Sequence, residues 1–277
     1  MPLPRKSLVV GGGKMGGALL TGWLRRGMDP ATVTVIEPNS EIAAALGSRL
    51  GVAVLPVPPV PQEPAPGEVP EVVLFAVKPQ VMEALLPAYK PFAGPDTVFL
   101  SIAAGRTIGF FETHLGRDAA VIRAMPNTPA AIGRAISVLC ANANVKAGQK
   151  ELCQTLLEAV GETAWIANEV LMDAVTAVSG SGPAYVFLLC ECMTDAGREA
   201  GLPDDLARRL AEVTVSGAGE LMRIEDAPPS LLRRNVTSPG GTTSAALEIL
   251  MADDGLCALI GRAVAAAARR SKELAAG

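Results

Sequence analysis

A glycine-rich turn between two patterned segments constrains the fold of this chain more than any other feature. Ser7–Val10 is a short apolar strand, and Gly11-Gly12-Gly13-Lys14-Met15-Gly16 follows it. Residues 14–26 then have helical spacing and stop at Gly27. After a strand and at a helix start, glycines at positions 11, 13 and 16 indicate a loop that binds the pyrophosphate of a dinucleotide. A glycine-rich turn without a ligand is the alternative.

Strand and helix patterns alternate through the first half of the chain. The predicted strands after the first are apolar or β-branched: residues 32–37, 52–55, 72–77, 97–102, 120–125, 136–140 and 163–166. Residues 72–77 are apolar throughout, which is typical of a central parallel strand buried on both faces. The alternation predicts an α/β, Rossmann-like domain with a mostly parallel, doubly wound sheet over residues 1–166.

One interval breaks this alternation. Residues 56–70 contain seven prolines and no helical pattern, where a crossover helix would normally lie. This composition favours an extended, polyproline-like loop. We expect a surface excursion there, without chemistry.

The end of the second predicted strand carries an acid. Glu37 lies about twenty residues after the glycines, where a carboxylate accepts hydrogen bonds from the adenosine ribose. Such a charge repels a 2′-phosphate, so NADH is favoured over NADPH. Pro38, Asn39 and Ser40 follow without an arginine, although Asn39 and Ser40 can donate to a phosphate. A solvated strand end is the alternative for Glu37.

The second half is helical, which predicts an all-α domain over residues 167–277. Ser179-Gly180-Ser181-Gly182 interrupts the first helical stretch, and Pro183 suits the first turn of the next helix. Residues 183–200 and 255–275 carry more apolar surface than one layer of helices needs. We expect this domain to self-associate through them. An internal helix bundle is the alternative.

Between two of the later helices lies Thr237-Ser238-Pro239-Gly240-Gly241-Thr242-Thr243. Gly240 and Gly241 let the backbone turn, and Thr242 and Thr243 open an Ala/Leu-rich helix. Backbone N–H groups at a helix start, beside small hydroxyl side chains, form a site for a carboxylate or phosphate. An ordinary turn with a hydroxyl cap is the alternative.

Composition excludes several classes of function. A net charge of -4 gives no basic footprint for nucleic acid, and the apolar run 184–190 meets Glu191, well short of a membrane span. The N-terminus does not have the pattern of a signal peptide. The five cysteines are odd in number and lack metal-ligand spacing. We expect reduced, mostly buried thiols in a cytoplasmic protein, and no metal site.

Six stretches, taken together and in this order, resemble the pyrroline-5-carboxylate reductase family, which catalyses the last step of proline synthesis. They are Val77-Lys78-Pro79-Gln80, Ser101-Ile102-Ala103-Ala104-Gly105, Met125-Pro126-Asn127-Thr128-Pro129, Ala177-Val178-Ser179-Gly180-Ser181-Gly182-Pro183-Ala184-Tyr185, Asp195-Ala196-Gly197 and Thr237-Ser238-Pro239-Gly240-Gly241-Thr242-Thr243. The resemblance covers nearly the whole chain.

The resemblance implies a reductase that transfers hydride from NADH or NADPH to the imine carbon of pyrroline-5-carboxylate, and that forms a dimer or a ring of dimers. In the substrate loop, Ser238, Gly240 and the N–H groups of Gly241 and Thr242 would hold the carboxylate, and the Thr243 hydroxyl would meet the ring nitrogen. Cofactor positions other than the glycine loop and residues 37–39 are Ala76, Val77, Lys78, Pro79, Ala103, Ala104, Met125, Pro126 and Asn127.

Imine reduction needs alignment and support for the changing charge on nitrogen, but no metal and no covalent intermediate. A threonine hydroxyl at position 243 can orient the nitrogen and relay a proton to the product amine; a helix cap is its alternative role. Lys78 is either a binding residue or a solvated side chain. The single histidine, His114, has no serine and carboxylate arrangement that indicates a triad.

Two other kinds of function remain open. A related imine or 3-hydroxy acid reductase would share this architecture, but the hydroxy-acid enzymes use a lysine in the first long helix, and residues 169–200 contain none. A non-catalytic dinucleotide-binding protein would have a spoiled substrate loop, whereas residues 237–243 are intact.

Overall fold

The computed structural model describes residues 3–59 and 69–276. By compactness the chain divides into two units: Met1–Gly180 with Ala268–Gly277, and Ser181–Ala267. The last strand ends at Trp165, and every later element is helical. The domain boundary predicted between residues 166 and 167 stays a prediction. Most of the proline-rich interval, residues 60–68, lies outside the described residues, so its predicted extended loop also stays a prediction.

A mostly parallel sheet of eight strands forms the centre of the first unit, as the alternation predicted. Its strands are β1 Ser7–Val10, β2 Val33–Ile36, β3 Ala53–Leu55, β4 Val72–Phe75, β5 Val98–Ser101, β6 Ala120–Met125, β7 Ala135–Ala141 and β8 Gly161–Trp165. Their spatial order is β3-β2-β1-β4-β5-β6-β7-β8. The order reverses between β1 and β4, which is where sheets of this kind bind ligands.

One pair of neighbouring strands is antiparallel. β6 and β7 run in opposite directions, with Ile122 opposite Ala141 and Met125 opposite Val138. Only a short 3₁₀ helix, Thr128–Ile132, lies in their connection. A parallel return needs a crossover of a dozen residues or more, so this short connection forces the reversal. As a result, β7 begins at the same edge of the sheet where β6 ends.

Helices cover both faces of the sheet. They are α1 Lys14–Arg25, α2 Ser40–Leu50, α3 Met82–Leu85, α4 Ile108–Leu115 and α5 Ala147–Glu158. Alternate strand residues enter two separate clusters of buried side chains, because successive side chains point to opposite faces. Val9 belongs to one cluster with Trp23, and Val10 to the other with Phe111. This two-sided burial explains why the central strands are apolar throughout.

The two tryptophans both lie in the first unit. Trp23 in α1 is 1% exposed, and its Nε1–H donates to the Leu156 carbonyl at 2.8 Å, joining α1 to α5. Trp165 at the end of β8 is half-buried. Its Nε1–H donates to Gln154 Oε1 at 2.9 Å, and the Lys150 ammonium lies 5.8 Å from its ring centroid.

A helical extension follows β8 and is tied back to the sheet. It consists of a 3₁₀ turn Glu169–Leu171, α6 Met172–Val175 and a π-helical turn Thr176–Gly180. The Glu169 carboxylate pairs with the buried Arg123 guanidinium of β6 at 2.5 Å and accepts from the Ile108 N–H at 2.8 Å. Asp173 accepts a hydrogen bond from Ser271 near the C-terminus at 2.6 Å.

The second unit is entirely helical. Its helices are α7 Gly182–Glu199, α8 Asp204–Ile224, α9 Pro229–Asn235, α10 Thr242–Leu250 and most of α11 Leu256–Ala276. α7 and α8 approach closely, since a Cβ atom on Gly197 would lie 3.2 Å from the Ala207 Cβ. Between these helices, Gly201 has a φ of 93°, a left-handed conformation that glycine adopts without strain.

Little of the second unit is buried within a single chain. Of the described residues 181–267, Thr194, Ala207 and Ala211 are buried. Large apolar side chains are exposed on the predicted helices α7 and α11 and also on α8, among them Phe187 at 62%, Leu259 at 53% and Val213 at 62%. The alternative of a self-contained internal bundle is therefore wrong: these helices present an apolar surface that the chain itself does not cover.

The predicted break at residues 179–182 is confirmed. The π-helical turn ends at Gly180, Ser181 is the N-cap of α7, and Pro183 lies in the first turn of that helix. By length and composition the helical residues of Glu169–Glu199, taken together, are apolar enough to cross a membrane, and 6% of their most apolar window is buried. One such helix is weak evidence for a membrane span, because an apolar helix that packs on another subunit has the same composition.

All five cysteines are free thiols. Cys140 and Cys153 are buried, and burial raises the pKa of each thiol. Cys190 is half-buried, and Cys192 and Cys257 are exposed. The expectation of mostly buried thiols fails for these three because they lie on α7 and α11, which have little cover in the single chain.

Candidate functional site

The fold itself requires glycine at positions 11 and 16, in and just after the loop between β1 and α1. Gly11 has a φ of 99°, and a Cβ atom there would lie 2.7 Å from the Ala76 carbonyl oxygen. A Cβ atom on Gly16 would lie 2.2 Å from the Gly11 carbonyl oxygen. These glycines let α1 start tightly against β1 and β4, as the spacing predicted.

Gly13 has a different role. A Cβ atom there would meet nothing within 4 Å among the described residues, so packing does not require glycine. Gly13 is also the N-cap of α1, and no side chain of the described residues caps that helix. Open space beside unpartnered N–H groups at a helix start fits an approaching pyrophosphate. Lys14 is exposed beside this space, whereas Met15 packs partly against the core.

A pocket of about 510 Å³ opens beside this loop. Gly12, Gly13 and Lys14 line it, together with Ile42 and Arg49 from α2. Sequence reasoning missed Arg49. The seven-residue spacing from Ile42 puts the two side chains on the same face of α2, and this spacing is the signal that could have found it.

The carboxylate of Glu37 is fixed by two backbone groups. Its Oε2 accepts from the Gly12 N–H at 2.9 Å, and its Oε1 accepts from the Asn39 N–H at 2.9 Å. Glu37 is 9% exposed, so the alternative of a solvated strand end is wrong. Each oxygen keeps a further lone pair for a ribose hydroxyl. Asn39 caps α2 through Oδ1, and Pro38 between them is exposed.

The segment after β4 lies directly beside the glycine loop. The Ala76 N–H donates to the Val10 carbonyl at 2.8 Å, and Val77 Cγ1 would lie 2.8 Å from a Cβ atom on Gly11. Lys78 has an exposed side chain and starts the 3₁₀ turn Pro79–Val81. The structure therefore brings the glycine loop, Glu37 and this segment together where the strand order reverses.

Sequence reasoning also missed Arg106, in the loop after β5. Its Nε–H donates to the Pro79 carbonyl at 3.1 Å, and its guanidinium lies 4.6 Å from the Phe110 ring centroid. It thereby holds the turn after β4. In the same loop, the Ala103 N–H donates to Ser101 Oγ at 3.2 Å. Ala103 is buried and Ala104 half-buried.

The end of β6 carries Met125, Pro126 and Asn127. The Asn127 side chain binds other parts of the protein on both sides: Oδ1 accepts from the Ile136 N–H at 3.1 Å, and Nδ2 donates to Ser179 Oγ at 3.3 Å. The sequence indicated Asn127 as a cofactor contact but did not indicate these two partners. Ser179 lies in the Ser-Gly-Ser-Gly-Pro stretch, and the sequence indicated no role for its side chain.

The predicted substrate loop forms a tight turn in the second unit. The Gly241 N–H donates to the Ser238 carbonyl at 3.0 Å, with Pro239 and a left-handed Gly240 (φ 68°) between them. This arrangement has the signature of a type II turn. The Gly241 N–H, which was predicted to hold a carboxylate, is therefore already engaged within the turn.

The start of α10 keeps its own donors open. Gly241 is the N-cap, and no side chain of the described residues caps the helix. The alternative role of Thr243 as a helix cap is therefore wrong. The N–H groups of Thr242 and Thr243 are the first of the helix, where the helix dipole favours an anion. Thr243 is half-buried, and Ser238 is exposed.

Outside these segments, the described part of the chain offers few candidates for a catalytic histidine or a metal site. His114 Nδ1 lies 2.8 Å from the Phe110 carbonyl oxygen in the last turn of α4, and its ring packs 4.5 Å from the Phe110 ring. Residues 3–59 and 69–276 contain no group of three His, Cys, Asp or Glu side chains placed to hold a metal ion.

Comparisons with known proteins cover the whole chain. The family model for pyrroline-5-carboxylate reductase dimerisation matches residues 169–274, and the model for NADP oxidoreductase, coenzyme F420-dependent, matches residues 7–105. The chain is 41% identical over 275 residues to the pyrroline-5-carboxylate reductase of Pseudomonas aeruginosa, covering 99% of this chain and 98% of the relative.

Two solved structures are similar over nearly their whole length. A pyrroline-5-carboxylate reductase from Coxiella burnetii has a TM-score of 0.88 at 32% identity, and the match covers 98% of each chain. The pyrroline carboxylate reductase of Plasmodium falciparum, solved with NADP bound, has a TM-score of 0.81 at 29% identity, again covering 98% of each. With these matches over its whole length, the chain belongs to the pyrroline-5-carboxylate reductase family.

Proposed function

We propose that this protein uses NAD(P)H to reduce 1-pyrroline-5-carboxylate to L-proline, the last step of proline biosynthesis. The observation that carries the proposal is the open helix start of α10 behind an intact Ser-Pro-Gly-Gly turn, in a chain that also has a dinucleotide loop. The relative from Pseudomonas aeruginosa, 41% identical, is named for this reaction.

The substrate is a small ring with one carboxylate and one imine nitrogen. In our proposal the carboxylate binds the first N–H groups of α10, at Thr242 and Thr243, and the Ser238 hydroxyl. Gly240 and Gly241 shape the turn that presents them. A hydrogen bond to a charged group contributes roughly 1.5–3 kcal/mol, so two or three are enough to fix a rigid ring.

Thr243 has the catalytic role in this proposal. Its hydroxyl contacts the ring nitrogen, orients the protonated imine and relays a proton to the product amine. Its hydroxyl is available for this because it is not used as a helix cap. Alignment is the main requirement, because a protonated imine is already electrophilic.

NAD(P)H supplies the hydride when it is bound. We propose that the loop of Gly11, Gly13, Lys14, Met15 and Gly16 holds its pyrophosphate, and that Glu37, Pro38 and Asn39 surround the adenosine ribose. The nicotinamide half would follow the strand ends, at Ala76, Val77, Lys78, Pro79, Ala103, Ala104, Met125 and Asn127. The buried Glu37 carboxylate beside the ribose favours NADH, because it repels a 2′-phosphate.

The chain self-associates through its dimerisation domain, and we propose that dimers assemble further into a ring. The apolar surface of α7, α8 and α11 would then pack on a second copy, not in a membrane. A net charge of -4 offers no nucleic-acid footprint, and a cytoplasmic location suits the free thiols.

The test is an assay of purified protein with 1-pyrroline-5-carboxylate and either NADH or NADPH. Consumption of the reduced cofactor and formation of proline are both measured, with reactions lacking substrate as the control. We expect proline with both cofactors and faster turnover with NADH. Absence of proline with either cofactor would overturn the proposed function, and a strong preference for NADPH would overturn the argument from Glu37.

A further inference from the structure

The π-helical turn Thr176–Gly180 lies against the segment that follows β6. Turns of this kind are rare and occur often at functional sites. Here the turn is anchored: the Thr176 hydroxyl donates to the Met172 carbonyl at 2.8 Å, and Ala177 is fully buried. Ser179 and Gly180 are the residues of the turn that meet Asn127 and Met125.

Ser179 completes a two-sided attachment of Asn127. One side of the Asn127 amide accepts from the Ile136 N–H of β7 at 3.1 Å. The other side donates to Ser179 Oγ at 3.3 Å. Since β7 starts at the edge where β6 ends, the Asn127 amide joins β7 to the π-helical turn.

Gly180 leaves room for the Met125 side chain. A Cβ atom on Gly180 would lie 2.5 Å from Met125 Cε, so the methyl end of the thioether occupies the space that an alanine would need. Gly180 is not among the described glycines with positive φ, so backbone conformation does not explain the glycine. Its missing side chain does, because it determines where the flexible Met125 side chain can lie.

We propose that Gly180 and Ser179 are positioning residues that set the fit of the nicotinamide through Met125 and Asn127. This inference rests on the proposed function, in which Met125 and Asn127 lie along the nicotinamide half of the cofactor. Neither Gly180 nor Ser179 needs to touch the cofactor. Gly180 leaves space for the end of the Met125 thioether against the turn, and Ser179 accepts the hydrogen bond of the Asn127 amide.

The first test is Gly180→Ala in the full-length protein, with Gly148→Ala as the matched control. Gly148 lies in α5, and a Cβ atom there meets nothing within 4 Å among the described residues. NADH affinity is measured from the fluorescence of bound NADH, without substrate. We expect Gly180→Ala to weaken NADH binding about tenfold, because the added methyl group displaces the end of the Met125 thioether from its position against the turn. Gly148→Ala should bind NADH like the wild type.

A double-mutant cycle with Met125→Ala distinguishes positioning from general damage. Once Met125 is truncated, the added methyl at position 180 has room, so Gly180→Ala should cost no further affinity. Equal losses in the two backgrounds would overturn the inference. So would wild-type NADH binding by Gly180→Ala.

Ser179→Ala provides a second, milder variant in case Gly180→Ala does not fold. It removes the acceptor for Asn127 Nδ2 and should raise the KM for NADH severalfold, whereas Ser179→Thr keeps a hydroxyl and should restore it. An unchanged KM in Ser179→Ala would overturn the role of Ser179. Because NADH binding is measured without substrate, a wild-type protein that binds NADH but forms no proline would overturn the proposed function alone.

Discussion

Two backbone N–H groups hold the Glu37 carboxylate at the end of β2, one from Gly12 and one from Asn39. A carboxylate that is held on both oxygens cannot swing away from an incoming ligand. The preference between the two nicotinamide cofactors therefore depends on a fixed negative charge, not on a mobile surface side chain.

Replacing Glu37 by serine should shift the cofactor preference toward NADPH. Removing the charge abolishes the repulsion of a 2′-phosphate, so the ratio of kcat/KM for NADPH to that for NADH should rise by roughly tenfold or more. Steady-state kinetics with both cofactors measure this ratio. Glu162→Ser in β8, at the far edge of the sheet, is the control and should leave the ratio unchanged. A ratio unaffected by Glu37→Ser would contradict the role of the charge.

Removing the hydroxyl group of Thr243 tests the proposed role of the substrate loop. Thr243→Ala should lower kcat/KM for 1-pyrroline-5-carboxylate by roughly 10- to 100-fold, because one hydrogen bond to a charged nitrogen is lost. The unfolding temperature should change little, since Thr243 does not cap α10. Thr243→Ser keeps the hydroxyl and should retain most activity. If Thr243→Ser lowered kcat/KM as much as Thr243→Ala, the hydroxyl group would not be responsible for the effect.

At this scale the sequence indicates roles that depend on local spacing. The distinct demands on Gly11, Gly13 and Gly16 follow from a strand–turn–helix pattern alone. The engaged Gly241 N–H and the two partners of Asn127 do not follow from spacing. They depend on turn geometry and on neighbours far along the chain, which no local pattern specifies.

At the scale of elements, strand positions were predictable and one strand direction was not. β1 and β6 have the predicted bounds, since a buried strand has an apolar pattern whichever way it runs. The direction of β7 depends instead on the short connection after β6. The Ser-Gly-Ser-Gly stretch predicted a helix break, and the structure has one at Ser181, between the π-helical turn and α7.

The attachment of the helical extension to β6 rests on Glu169. Its partner Arg123 has a side chain 9% exposed, whereas the Glu169 side chain is 28% exposed. Glu169→Ala leaves a buried guanidinium and the Ile108 N–H without their acceptor, so it should lower the free energy of unfolding by about 3 kcal/mol. Urea unfolding followed by circular dichroism measures the change.

The exposed pair of Arg270 and Glu273 provides the control for this measurement. Their side chains are 66% and 61% exposed, so Glu273→Ala should have little effect on stability. Equal losses in Glu169→Ala and Glu273→Ala would mean that burial of the Arg123 pair adds nothing.

At the scale of the whole molecule, the second unit has apolar helix surfaces that would be buried only by contact with another subunit. The sequence predicted this contact from the excess of apolar residues, and the matching family model describes dimerisation. The extent of the uncovered surface was not predictable, because helical spacing shows which residues share a face but not whether the same chain packs on it.

A charge on this surface should separate the subunits. Phe187→Glu in α7 places a carboxylate on an apolar face, so the mass from light scattering should fall from a multiple of the chain mass toward that of one chain. Val57→Glu is the control: Val57 is 65% exposed, close to the 62% of Phe187, but lies outside the dimerisation domain. A wild-type protein with the mass of one chain would contradict the prediction.

Because of where Trp23 and Trp165 lie, intrinsic tryptophan fluorescence reports on one of the two units. Both indoles belong to the α/β unit, and the chain has only these two tryptophans. Intrinsic emission excited at the indole band therefore follows melting of that unit alone, while far-ultraviolet dichroism follows the helices of both. Coincident unfolding midpoints from the two signals would indicate a single cooperative transition. Separated midpoints would show that the two units unfold independently, without any added label.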